Sequence, residues 1–348
     1  MITTPLIILC VLAAVGTYAG TRWFLRYAEH GNITDVPNDR SSHTHPKPTG
    51  GGVGFVSVSL LTLLIYAAYS GYLSDQALLI IVVILAVMAT IGWMDDKYNL
   101  SQILRYGAQS AAAVAVILFI SNLETFHLPF LGVMELGVIS YIFAFVWITG
   151  TPNIYNFMDG VDGIASVQAI GATTGWMALA YSWGQPELLA LNLIILISIL
   201  VFLKFNWAPS SIFMGDVGSL FLGFLFAIMP FYAAYLPGSP EIGILIWVAA
   251  IMLWPFLFDG AYTIFRRMKR GENVFKPHRS HLYQRLYEQG WPHQKIASLY
   301  GLFSLIALVC AIFYVTNSEL ARLSIILLLL AGSFGFASVV KNIEQNDS

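Results

Sequence analysis

The feature that most constrains this chain is a repeated pattern: apolar runs of roughly 20 residues recur from end to end, each long enough to cross a hydrocarbon layer about 30 Å thick. Eleven such stretches stand out, at about 3–27, 52–69, 77–94, 103–120, 137–152, 161–183, 188–205, 217–236, 242–266, 295–316 and 320–340. Only 10% of the 348 residues are charged and 57% are hydrophobic, with a mean hydropathy of +0.73. Soluble domains carry about 25% charged residues. The pattern predicts an all-α, polytopic integral membrane bundle of about 11 transmembrane helices, since a helix satisfies its own backbone where no water can. One integral membrane domain is expected over residues 1–348.

Charge placement sets the orientation. When alternate loops are assigned to opposite sides, all 17 Lys and Arg residues except Arg322 fall on one face. That asymmetry marks the face as cytoplasmic, which puts the N-terminus in the periplasm and the C-terminus in the cytoplasm. The first apolar run has no basic leader and is followed by Arg22 and Arg26, so it reads as a retained span. Cys10 and Cys310 sit inside apolar runs and suggest no disulfide or metal framework. The net charge of -2 gives no basis for a nucleic-acid partner. Outward loops are short, and "LETFHLPFLGVMEL" has the length of a small external hairpin. Inward segments near 28–51, 95–103, 152–160, 205–217 and 267–294 are longer and polar, so any chemistry belongs there.

Those inward segments collect acids. Asp95 and Asp96 in "WMDDKYNL" close the third span, at the end of a helix where carboxylates face unpaired carbonyls and cost up to about 1 kcal/mol each. In "NIYNFMDGVDG", Asp159 and Asp162 enter the sixth span three residues apart, on one helix face. A helix cap accounts for one or both of them, but not for Asn153 and Asn156 on the same short turn. Asp216 in "FNWAPSSIFMGDVGSL" opens the eighth span and reads equally as a cap or a ligand. Five carboxylates at one membrane surface repel each other unless cations join them. A hard divalent ion such as Mg2+, with Mn2+ as an alternative, answers that need, and Arg105 and the basic last loop supply further positive charge. "TGGGVGF" offers backbone amides for phosphate, or is a plain loop entering the second span. Lys276, His278, Arg279 and His281 in "KPHRSHL" suit an oxyanion or a sugar better than zinc, and they also suit an anchor on anionic headgroups. Asp259, inside the ninth span, needs a partner from the inner loops, and Pro255 predicts a kink just before it.

Together, "PNDRSSH" with "PKPTGGG", "DDKYNL", "NIYNFMDGVDG", "FNWAPSSIFMGDVGSL" and "HRSHLYQRL" resemble the polyprenyl-phosphate N-acetylhexosamine-1-phosphate transferases (bacterial glycosyltransferase family 4) in order along nearly the whole chain. The resemblance is strongest to the branch that starts O-antigen or related surface polysaccharides. It implies a multi-pass enzyme of the bacterial inner membrane that uses UDP-N-acetylhexosamine, undecaprenyl phosphate and Mg2+ on its cytoplasmic side. A homodimer is a candidate assembly. By the same resemblance Asp216 is the metal ligand, with Asn206 beside it, and Asp95, Asp96, Asp159 and Asp162 are the catalytic acids. One of the paired acids would deprotonate or orient the prenyl phosphate, or act as a covalent nucleophile. Lys47, Thr49, Asn156, Gly160 and Phe213 fall to the nucleotide, Asn153 to the same segment, and Arg105 to the prenyl phosphate. His278, Arg279 and His281 fall to the sugar. Relatives often carry a denser histidine cluster where this chain has Leu282, Tyr283 and Gln284, which leaves the sugar open. The rival reading is a transporter or flippase for an anionic lipid or metabolite, but such proteins place ionisable groups near the midplane on repeated, interrupted helices.

Overall fold

A computed structural model of the chain describes residues 2–31, 33–35, 45–273 and 278–346. The motif "PNDRSSH", with Arg40, and Lys276 lie outside the described residues. The helices are α1 (Thr4–Gly31), α2 (Gly52–Ser70), α3 (Gln76–Tyr98), α4 (Gln102–Phe119), α5 (Ile139–Phe157), α6 (Ile164–Trp183) and α7 (Pro186–Asn206). They continue with α8 (Gly215–Tyr235), α9 (Ile242–Met252), α10 (Trp254–Lys269), α11 (Leu282–Glu288), α12 (His293–Thr316) and α13 (Glu319–Asn346). Two small antiparallel pairs qualify the all-α expectation: β1 (Thr34–Asp35) with β2 (Lys47–Pro48), and β3 (Thr125–Leu128) with β4 (Gly132–Glu135). The second pair is a hairpin in the segment where one was expected.

Every predicted apolar stretch is helical, but the count of spans differs. Among the described residues, 8 helices are long and apolar enough to cross a membrane, or up to 9 if α9 and α10 form one broken span. Helices α5 and α6 are not among them. Both carry many polar positions, including Thr149, Thr151, Asn153 and Asn156 in α5 and Ser166, Gln168 and Thr173 in α6. The chain is a multi-pass helical membrane protein.

Helix α8 is the axis of the bundle: every residue from Val217 to Ala233 is buried, against α3, α5, α2 and α9. In lipid, helices gain little from hiding apolar surface and associate through close packing instead. Gly92 of α3 shows how close. A Cβ there would lie 2.4 Å from the Asp216 carbonyl oxygen, so α3 crosses the first turn of α8 backbone to backbone.

The kink expected at Pro255 is a full break, with α9 and α10 bent by 81°. Proline has no N–H and its ring crowds the preceding turn, so the ladder stops. Phe256 N–H turns to the Leu253 carbonyl, and the Met252 carbonyl accepts instead from Gln168 Nε2 of α6 at 2.8 Å. Ser304 of α12 donates to Gln168 Oε1 at 2.9 Å. Asp259, one turn beyond the break, is buried and finds its inner-loop partner in His281, 3.2 Å away.

This account makes Gln168 the keystone of the break. Gln168→Leu leaves the Met252 carbonyl unpaired, and thermal unfolding in detergent should report a loss of about 1–3 kcal/mol. Ser182→Ala, which removes only a bond to its own helix, should leave the midpoint unchanged.

Candidate functional site

A cavity of about 780 Å³ opens where α3, α4, the α5–α6 turn, the α7–α8 loop and the β1–β2 ribbon meet. It is lined by Asp95, Asp96, Asp159, Asp162 and Asp216, and by Thr49, Arg105, Asn156, Gly160, Asn206 and Phe213. Lys47, Asn153, His278, Arg279 and His281 do not line it. Asn153 instead bridges α5 to Gln109 of α4, at 2.7 Å.

The paired acids occupy the last turn of α3, the unfavourable end of its dipole, yet each has a compensating partner. Asp96 reaches across to α8: its Oδ1 accepts from the Asp216 amide at 2.9 Å and its Oδ2 from the Val217 amide at 3.2 Å. It therefore caps the N-terminus of a neighbouring helix, where negative charge is favourable. Asp95 accepts from the Leu100 amide at 2.7 Å and from Arg105 Nη1 at 2.5 Å. The same Arg105 nitrogen lies 3.8 Å from Asp216 Oδ2. Asp216 turns its other oxygen to Asn156, whose Nδ2 donates to it and to Ser219 Oγ, each at 2.8 Å.

The structure corrects the expectation that Asp159 and Asp162 share a helix face or cap α6. That helix starts only at Ile164, after Gly163, whose φ of 83° ends the turn in a left-handed conformation. The two acids point to different tasks. Asp162 is a clamp. Its oxygens accept from the Ser210 amide at 3.0 Å and hydroxyl at 2.8 Å, and from Lys47 at 3.4 Å, with His293 Nδ1 3.3 Å away. Burial alone would raise its pKa, but the bonds from His293 and Ser210 overcome that and hold it below the usual carboxylate range. Any stability this lends is complete above the ordinary carboxylate pKa and is lost only as the pH falls below it. Asp159 has no side-chain hydrogen bond among the described residues. Burial first, then the charges of Asp216 and Asp162, push its pKa well above the usual range.

The remaining residues frame the cavity. Asn206 ends α7 and is spent on structure, with Nδ2 donating to the Ile212 carbonyl and Oδ1 accepting from Ser166. Lys47 stands 5.1 Å over the Phe213 ring, so it backs that ring although it does not itself line the cavity. Two of the glycine-loop amides are already engaged: Gly51 and Gly52 donate to the Phe213 and Met214 carbonyls at 2.9 and 2.8 Å. His281 caps α11 beside Asp259, and Arg279 lies 3.9 Å from Glu288. Burial, then His281 and Arg267, hold His278 down to about 4, so it is uncharged at neutral pH.

Sequence reasoning did not single out Asn99, Ser219 or Asp35 in the lining, or Ser210 and His293 behind it. Ser219 had a readable signal, three residues after Asp216 on a helix. Asn99 ends α3 four residues after Asp95, and the others come together only through tertiary contacts.

Among the described residues no three His, Cys, Asp or Glu side chains already form a metal-holding group. The donor set nonetheless suits a hard divalent ion, which takes one or two carboxylates and completes its shell with water or phosphate oxygens. Carboxylates outnumber cationic side chains around the cavity, and Asp159 is unpaired among the described residues.

Known proteins are similar to this chain in sequence. The family described as glycosyl transferase family 4 matches residues 77–234. The chain is 30% identical over 298 residues to the "Probable undecaprenyl-phosphate N-acetylglucosaminyl 1-phosphate transferase" of Bacillus subtilis (strain 168), covering 85% of this chain and 81% of that protein. It is 27% identical over 315 residues to the decaprenyl-phosphate N-acetylglucosaminephosphotransferase of Mycolicibacterium smegmatis, covering 84% and 77%. A phospho-N-acetylmuramoyl-pentapeptide-transferase of Streptococcus pneumoniae is 30% identical over 227 residues, covering 61% of this chain and 68% of its own. On the strength of that extended match and of the acids its motifs gather around one cavity, the chain belongs to glycosyl transferase family 4.

Proposed function

We propose that the protein transfers an N-acetylhexosamine 1-phosphate from a UDP-sugar to undecaprenyl phosphate, releasing UMP. The observation that carries this reading is the acid-rich cavity at helix ends, with Arg105 between Asp95 and Asp216 and an aromatic, glycine-bearing wall opposite. The names of the relatives point the same way. We place the cavity on the cytoplasmic side of the inner membrane and the reaction at the start of O-antigen or a related surface polysaccharide.

In the reaction, an oxygen of the prenyl phosphate attacks the sugar-bearing phosphorus of the UDP-sugar. The anhydride bond between the two phosphorus atoms breaks and its electron pair leaves on UMP. Arg105, oriented by Asp95, meets the incoming prenyl phosphate. Asn156 fixes the direction of Asp216. Phe213, with Thr49 and Gly160, receives the uridine. Mg2+ held by Asp216 would neutralise the diphosphate and the charge on the departing phosphate. Both oxygens of Asp95 and of Asp96 already accept hydrogen bonds. That supports orienting roles for the pair over a covalent nucleophile.

The test is UMP release from membranes supplied with undecaprenyl phosphate and a panel of radiolabelled UDP-N-acetylhexosamines. Chelation should abolish release, and Mg2+ or Mn2+ should restore it. Asp216→Asn should lower kcat by roughly 10²–10³-fold, the cost of removing one preorganised charge contact. Full Mg2+-dependent turnover in that variant would refute the metal assignment. Arg105→Ala should raise the KM for undecaprenyl phosphate more than the KM for the UDP-sugar; the reverse order would move Arg105 to the nucleotide.

A further inference from the structure

We propose that Tyr283 is a positioning residue whose hydroxyl holds the turn presenting Asp159 and Gly160 to the cavity. Its kinetic consequence rests on the transferase reading; its structural consequence does not.

Tyr283 lies on α11, outside the cavity, and is buried. Its hydroxyl donates to the Phe157 carbonyl at 3.1 Å, which is the last residue of α5 and one of the carbonyls that a helix end leaves unpaired. Three residues later, a Cβ on Gly160 would stand 2.0 Å from that hydroxyl oxygen and 2.8 Å from the ring carbon bearing it. The side chain therefore pins one end of the 157–160 turn and fills the space beneath the other. Between the two contacts lies Asp159, whose amide donates to the Asn156 carbonyl at 3.1 Å but whose carboxylate has no hydrogen bond among the described residues. Burial and the nearby Asp259 raise the phenol's pKa, so it remains a donor.

The ring is itself held firmly. It stacks on His281 at 5.8 Å and meets Tyr300 edge-on at 6.5 Å. Asp259 accepts from the Leu282 amide at 2.8 Å, the Tyr283 amide at 3.3 Å and the Tyr300 hydroxyl at 2.6 Å. One buried carboxylate on α10 thus fixes the start of α11, and α11 delivers Tyr283 to the turn. Gly160 is a glycine because of its neighbour: no side chain fits against that hydroxyl.

The experiment compares Tyr283→Phe, Gly160→Ala, Tyr283→Ala and the Gly160→Ala/Tyr283→Ala pair in the full-length protein. Tyr283→Phe should lower kcat about tenfold, within the range for a small displacement of an active group, with the KM for undecaprenyl phosphate unchanged. Its thermal midpoint should stay near that of the wild type, and hydrogen exchange over 157–162 should speed up. Gly160→Ala should lower kcat about 100-fold in the native background and by about tenfold less once Tyr283 is Ala, because the clash is gone. Wild-type kcat and exchange in Tyr283→Phe would overturn the proposal, as would an equal cost of Gly160→Ala in both backgrounds. So would a lowered thermal midpoint with kcat unchanged, since that describes a ring that only supports the fold. If the wild type releases no UMP from any UDP-sugar, the transferase reading falls, and exchange in Tyr283→Phe alone decides the role of the hydroxyl.

Discussion

The bond from Asp96 to the first amides of α8 is the contact on which the site depends. A helix that begins at a membrane surface presents unpaired N–H groups and a positive end, while one that finishes there presents the opposite. Bringing α3 to its end exactly where α8 begins lets a carboxylate at the wrong pole of one helix serve the right pole of another. Gly92 allows the two backbones to touch, and the result fixes where Asp216 stands. The neighbouring Asp95 is stabilised separately, by Arg105 and the Leu100 amide. Repulsion among the acids is thus reduced by protein groups before any ion is considered.

The same economy governs the opposite wall. Asp162 gathers Ser210, Lys47 and His293, which belong to the α7–α8 loop, the β1–β2 ribbon and the start of α12. These segments are distant in sequence, and none has a hydrophobic reason to meet the others at a polar surface. A buried anion with several donors provides one, because each donor would otherwise face desolvation unpaired. Asn206 adds a second tie within the loop, and Gly51 and Gly52 add a third through their amides. The polar wall is therefore tied together from several segments, while Asp159 is the acid left facing the space.

Much of this was legible in the sequence, and the limits are instructive. Apolar runs located every helix except the short α11, with α9 and α10 read as one, since lipid leaves little alternative to helical backbone pairing. The acids were found because charge is conspicuous in such a chain. Their division of labour was not legible. Asp159 and Asp162 sit three residues apart, a helical spacing, but Gly163 delays the helix and sends them in different directions. Asn153 matched the motif yet faces α4. Gly51 and Gly52 looked like a phosphate cradle and turned out to be a joint. Local spacing cannot report which groups a distant segment will claim, and Ser210 and His293 are invisible until the chain is folded. The number of spans is similarly blurred, because α5 and α6 exchange apolar side chains for the polar ones that the site and the helix break require.

Asp259 shows how far that exchange extends. An ionisable side chain within a membrane helix ordinarily suggests a transport path or proton relay. Here its oxygens accept from two backbone amides, a tyrosine hydroxyl, a histidine and Thr263, all supplied by the protein. A carboxylate so completely engaged is better suited to holding than to moving. The break at Leu253 turns α10 toward α11, and Gln168 satisfies the carbonyl that the break exposes. The bent helix is thus connected to the cavity through contacts rather than through a channel: from Asp259 to α11, from α11 to Tyr283, and from Tyr283 to the turn that carries Asp159. A buried acid, a helix break and a glycine that admits no side chain are then parts of one mechanical link that ends at the turn carrying Asp159.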